Sequence, residues 1–345
     1  MTKRALVMSG GGAKGAFELG AIDYLVNDRK LDFDVIAGVS VGSLNAVLLA
    51  QGQGFQGLQQ QVKTLKDVWF GIRGNDDIYR TRLLGKLLVF LVKNSEFDPA
   101  PLGDKLARFV DEPRLKASGK QFRIGAVSLE SGDYVPIDQD SGSIADWTLA
   151  SSSLPVAFPP VAVRGEHAVD GGVRNVTPFK DAFAALKRDA SASAEPDEMY
   201  VLLASPLGVA SRAGTDWKNG LVIARRAVEL LVNEVFREDL EYALDVNASL
   251  RAHAALQQSL GGAGPAAGAA RAALDGMPFK PPKYRLVDLR VVLPEREYMD
   301  ALDFDPAKIK TAFEAGRTAA QRPLDEPALR KLLLQPSARP SPSNS

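Results

Sequence analysis

The chain has 345 residues, with 42 Lys plus Arg balanced by 42 Asp plus Glu, and no cysteine. That length supports a large core with extensions, and the even charge argues against a nucleic-acid partner or a polyanionic surface. Without cysteine there are no disulfides and no thiolate metal sites. With only two histidines, His167 and His253, a histidine-rich metal site is not expected, and no cofactor is. The basic start, residues 1–4, leads into an apolar run of only four residues, too short for a signal-peptide core. No apolar stretch approaches the ~20 residues of a spanning helix. The expectation is a cytoplasmic protein.

Residues 5–8 (ALVM) read as a first buried strand. It runs into Ser9-Gly10-Gly11-Gly12-Ala13-Lys14-Gly15 and then a helix from 16 to about 27. Two readings compete for these glycines. Gly10-x-Gly12-x-x-Gly15 between strand and helix fits a nucleotide-binding fingerprint, which needs an acidic residue closing the second strand. Asp32 and Asp34 have roughly the spacing, but they precede that strand. Alternatively, consecutive glycine N–H groups at a helix N-terminus form an oxyanion hole. Lys14 beside the loop is either a solvated lysine or an anion-orienting one.

The second strand, 35–37, turns through Gly38-Val39-Ser40-Val41-Gly42 into a helix-compatible run, 43–50. Strand, G-x-S-x-G, helix is the context of a nucleophile elbow, in which Ser40 stands clear on a strained turn. The plainer reading is a glycine-rich turn with an incidental serine. Residues 51–61, rich in Gly and Gln, read as a surface loop, and 60–70 as a helix. The most apolar stretch, 83–92, lies between Arg80, Arg82 and Lys93. It reads as a core helix or as an interfacial lid in peripheral contact with a membrane.

Residues 122–129 and 134–137 read as a hairpin, 144–150 as a helix, and 161–163 with 167–169 as a second hairpin. That hairpin ends on Asp170-Gly171-Gly172, which is either a plain turn or the mount for an acidic group. A Ser/Ala/Pro-rich loop at 190–197 precedes a buried strand at 200–204. Helical spacing runs from 218 to 260, and a Gly/Ala/Pro break covers 261–268. A late strand at 284–293 and a last helix at 306–321 follow, and the tail from 335 reads as disordered.

Four stretches carry a family resemblance: SGGGAKGAF at 9–17, GVSVGSLNA at 38–46, ASSSLPVAFPPV at 150–161 and DGGVRNVTP at 170–178. In this order and spacing the chain resembles the patatin-like phospholipases over residues 4–205. From 206 onward there is only a general likeness to the helical extensions of bacterial members. The resemblance implies an α/β fold, a three-layer α/β/α sandwich on a mostly parallel central sheet. It implies three regions: an acyl hydrolase core (4–205), a mainly helical C-terminal region packed on it (206–334) and a disordered tail (335–345).

It also implies a Ser-Asp dyad without a metal, with Ser40 as nucleophile, Asp170 as base and Gly10, Gly11, Gly12, Lys14 and Gly15 in the oxyanion loop. Gly38 and Gly42 shape the elbow, while Gly171 and Gly172 turn the chain after Asp170. Lys14 stands where many members have Arg, which keeps the charge but loses the two-pronged hydrogen bonding. The implied substrates are phospholipids, lysophospholipids or other acyl-ester lipids. Three alternatives remain: a Ser-Asp-His hydrolase using His253, an acyltransferase on a Ser-His pair, and a nucleotide-binding module on Gly10–Gly15. His253 sits in a helical stretch without the loop that usually presents a catalytic histidine, and His167 lies in a strand. The lipid preferred, the positional choice and the oligomeric state are left open.

Overall fold

A computed structural model of the chain describes residues 2–81, 95–186, 196–208, 217–218, 220–260, 265–277, 279 and 284–334. Alternation along the first strand, β1 (Arg4–Met8), sets the architecture. Leu6 and Met8 enter one apolar cluster, while Ala5 and Val7 enter another on the opposite face. A strand buried on both faces belongs to a sheet covered by helices on both sides. The neighbouring strand β2 (Val35–Gly38) divides in the same way, Ile36 against Val35 and Ala37.

The remaining strands are β3 (Arg80–Thr81), β4 (Phe97–Asp98), β5 (Gln121–Ser128), β6 (Tyr134–Asp138), β7 (Val161–Val163), β8 (Glu166–Asp170), β9 (Asp197–Leu202) and β10 (Val287–Val292). Among the described residues the main sheet has eight strands in the order β10-β9-β1-β2-β5-β8-β7, with β6 on the free side of β5. From β10 to β5 all pairings are parallel, and the two hairpins add antiparallel strands. This is the mostly parallel three-layer sandwich that the resemblance implies.

On one face lie α1 (Gly15–Asp23), α2 (Val41–Leu49) and α3 (Gly54–Phe70), with helices Ile144–Ser151 and Pro306–Ala319. Every residue of α1 is buried. Where it crosses helix Pro306–Ala319, a Cβ on Gly316 would come within 1.9 Å of the Phe17 carbonyl oxygen, so glycine sets the distance between the two helices. The other face carries helices Phe179–Leu186, Gly220–Ser259 and Glu326–Leu333.

Three local readings change. Helix α3 starts at Gly54, inside the expected loop, because Phe55, Leu58, Val62, Leu65 and Trp69 form an apolar stripe that outweighs the weak propensities of Gly54 and Gly57. Helix resumes at Pro265 instead of after 268. Helix Glu326–Leu333 was not anticipated; Asp325 caps it by accepting the Ala328 N–H at 3.0 Å. The apolar stretch 83–92 and the tail from 335 lie outside the described residues. No described helix is long and apolar enough to cross a membrane.

Candidate active site

In register, Met8 lies opposite Gly38, so β1 and β2 end side by side. The loops leaving their carboxyl ends are therefore neighbours, at the place where an open α/β sheet binds ligands. The second loop is sharp. Ser40 has φ 56° and ψ −127°, a conformation that costs a non-glycine residue on the order of 1–3 kcal/mol. Its N–H donates to the Ser151 hydroxyl at 3.2 Å, and the Ser43 hydroxyl donates to its carbonyl at 2.6 Å. Gly42 keeps the elbow tight against β1, since a Cβ there would sit 2.5 Å from the Met8 carbonyl oxygen. A Cβ on Gly38 would in turn meet the Gly42 carbonyl at 2.1 Å.

Strand pairing brings Asp170 to Ser40 across 130 residues of chain. β2 and β8 share the edge of β5 opposite β6. They run towards each other along it: Gly38 pairs with Ile124 and Asp170 with Ala126, which leaves Gly125 between the two strand ends. The Asp170 N–H donates to the Ser153 carbonyl at 3.0 Å, and its Oδ1 accepts the Gly172 N–H at 2.7 Å, across the turn made by Gly171 and Gly172. The carboxyl is buried, and burial pushes its pKa up to about 7. The nearby Ser40 side chain and the hydrogen bond from the Gly172 N–H oppose that rise.

The first loop lies across the same point. Gly10 packs on Ser40, and its N–H donates to the Val176 carbonyl at 3.2 Å. The Ala13 N–H donates to Ala301 at 2.7 Å. Between them, the N–H groups of Gly11 and Gly12 have no partner among the described residues. Gly12 has φ 58° and lies under the Ala301 carbonyl, which a Cβ would approach to 2.1 Å, so both backbone and space exclude another residue. Gly15 opens α1 against Val41. Lys14 is not a solvated lysine: its Nζ lies 2.8 Å from the Glu297 carboxylate and 3.1 Å from the Ser205 hydroxyl.

Two cavities meet at Ser40. The narrower, about 100 Å³, is lined almost wholly by apolar side chains, among them Leu44, Leu48, Leu65, Trp69 and Phe304. The wider, about 630 Å³, is bordered by the glycine loop and Asp170, and by Lys14, Arg226, Glu229 and Asp300. Neither histidine lines either one. His167 is exposed, with Nδ1 2.8 Å from Glu130, and His253 is buried on the long helix. Asp32 and Asp34 sit at the amino end of β2, where Asp32 pairs with Lys120 at 2.6 Å and Asp34 accepts the Arg4 N–H at 2.8 Å. They are at the far end of the sheet from the glycine loop, which removes the geometry a nucleotide site needs. Among the described residues no acidic or histidine cluster could hold a metal ion.

Several supports were not foreseen. Glu18 is fully buried, and its carboxylate accepts the Ser9 N–H at 2.9 Å and the Asn45 amide at 3.1 Å; Asn45 in turn accepts the Trp69 indole N–H at 3.0 Å. Burial holds the Glu18 pKa well above the usual carboxylate range. Its position among apolar residues of α1 is a visible signal in the sequence. Ser151 and Ser153 lie in a stretch that stood out only by likeness, and nothing local to 205–305 marks Glu297, Ala301 or Asp239.

A family profile described as "Patatin-like phospholipase" matches residues 6–183, about half of the chain. Among solved structures, VipD from Legionella pneumophila is 15% identical with a TM-score of 0.39, and the likeness covers 93% of this chain and 66% of that one, just under two thirds. In the ExoU–SpcU complex of the Pseudomonas aeruginosa type III secretion system, a chain 18% identical has a TM-score of 0.29, over 80% of this chain and 67% of that one. Comparison with curated proteins gives no match. On the match across residues 6–183, the chain belongs to the patatin-like phospholipase family.

Proposed function

We propose that the chain hydrolyses carboxylic esters of lipids, as a phospholipase A or lysophospholipase, through a Ser40 acyl-enzyme with Asp170 as base. The observation that carries this is the strained Ser40 elbow facing the same cavity as the buried Asp170 carboxyl, where that cavity meets the apolar one. Ser40 Oγ attacks the acyl carbonyl carbon, and its proton passes to Asp170. The N–H groups of Gly11 and Gly12 take the developing oxyanion. Collapse expels the alcohol, which recovers the proton from Asp170. A water then attacks the acyl-enzyme, Asp170 again taking the proton; collapse breaks the ester bond to Ser40 Oγ, which recovers that proton from Asp170 as the fatty acid leaves.

A carboxylate is ordinarily a weak base for a serine hydroxyl, and the raised pKa of Asp170 narrows that gap. The apolar cavity suits the acyl chain, and the wider, charged one suits the leaving alcohol with its head group. The test is a fluorophosphonate probe read by intact mass, together with fatty-acid release from a phospholipid and lysophospholipid panel. One adduct and fatty-acid release are expected for the wild type, and neither for Ser40→Ala. Undiminished release by folded Ser40→Ala would remove the proposed nucleophile.

A further inference from the structure

The two unpartnered donors, Gly11 and Gly12, hang between Gly10 and Ala13, and both anchors are fixed by parts of the chain beyond residue 205. On one side the Ala13 N–H binds Ala301, and next to it Lys14 is drawn to Glu297. The segment that supplies these groups is itself held down. The Tyr79 hydroxyl donates to the Leu302 carbonyl at 2.5 Å and the Phe304 N–H to Asn75 Oδ1 at 2.8 Å, and the segment leads into the helix that packs on α1. On the other side Asp239, on the long helix, accepts the N–H groups of Val176 and Thr177 at 2.9 Å each. The Val176 carbonyl accepts the Gly10 N–H. Glu297, Ala301 and Asp239 all lie outside the matched stretch 6–183.

We propose that the region after residue 205 is a clamp that sets the oxyanion loop, with Glu297, through Lys14, and Asp239, through Val176, as positioning residues for ester hydrolysis. The proposal rests on the oxyanion role given to that loop. Two arguments favour positioning over bulk stability. The Lys14–Glu297 pair is partly exposed, its side chains 15% and 34% accessible, and such pairs contribute little to stability. The loop's donors must also meet an oxyanion within a few tenths of an ångström, and a misplacement of ~1 Å can cost about 10²-fold in rate. Loosening one anchor should therefore register in turnover long before it registers in melting.

The experiment measures kcat and KM on a short soluble ester, with melting temperatures, for Glu297→Ala, Lys14→Glu and the charge swap Lys14→Glu/Glu297→Lys. It does the same for Asp239→Ala and Asp239→Asn. The single losses should lower kcat by about tenfold or more, a part of the ~10²–10³ that a lost oxyanion donor costs, with KM and melting temperature near wild type. The charge swap should recover most of the loss, as should Asp239→Asn, which keeps an acceptor oxygen for both N–H groups. Hydrogen exchange in a Ser40→Ala background gives a readout independent of turnover: Glu297→Ala should speed exchange of the Ala13 amide. Unchanged kcat and exchange in Glu297→Ala, or kcat falling only in step with melting temperature, would overturn the clamp. If the wild type hydrolyses no ester while Ala13 still loses protection, the clamp on the loop stands and the hydrolase reading fails.

Discussion

Asp170 sets stability against chemistry. A carboxyl whose folded pKa is raised from 3.8 to about 7 favours the folded state in its protonated form. That contribution is complete below about pH 3.8, declines as the pH rises, and is gone above about 7. At pH 8 the ionised, buried carboxylate therefore costs the fold on the order of 4 kcal/mol relative to an exposed one. Asp170→Asn keeps an oxygen for the Gly172 N–H without the charge. It should melt above wild type at pH 8, and that advantage should shrink by more than half at pH 5 and vanish only below about pH 3.8, by calorimetry. In its proposed role as base, Asp170 must be ionised, so kcat/KM should rise with pH through a limb near 7. Asp239 is also pushed to about 7 by burial, and Asp239→Asn decides between the two: the limb stays if it belongs to Asp170. A limb abolished by Asp239→Asn would assign it elsewhere.

Among the elements, α2 contributes both to the elbow and to the narrow cavity, through Leu44 and Leu48. Leu48→Phe narrows the cavity along one wall. Over-packing costs typically 1–3 kcal/mol, and the acyl-chain profile should move towards shorter esters while a two-carbon ester is turned over normally. An unchanged profile on esters of graded length would place the acyl chain elsewhere. The elements around this site were legible where the signal is local. Strand, Gly-rich turn and helix occur within a dozen residues at both β1–α1 and β2–α2, and the β5–β6 hairpin shows itself by two strand-like runs about the turn Glu130-Ser131-Gly132-Asp133. Helix α3 was legible only from its middle, because Gly54 and Gly57 are poor helix formers that an apolar stripe overrode. Helix Glu326–Leu333 carried a readable sign in Asp325 followed by Pro327 at its first turn.

For the whole molecule, contact between distant parts decides what the site is. Ser40 and Asp170 could be named from motifs, yet the reason they meet, two strands converging on one edge of β5, depends on pairings that no local pattern encodes. The same holds for the anchors of the glycine loop: Glu297 and Asp239 are ordinary charged residues until β10 and the long helix bring them back to β1. That topology leaves both histidines away from the cavities at Ser40, which supports the proposed serine–aspartate dyad. The most direct test is kcat/KM on a soluble ester for folded Asp170→Asn beside the double variant His167→Ala/His253→Ala. Loss of about 10³-fold or more in Asp170→Asn, with most activity kept by the double variant, is the predicted result. A folded Asp170→Asn enzyme near wild type, or a folded double variant that has lost turnover by orders of magnitude, would contradict the dyad.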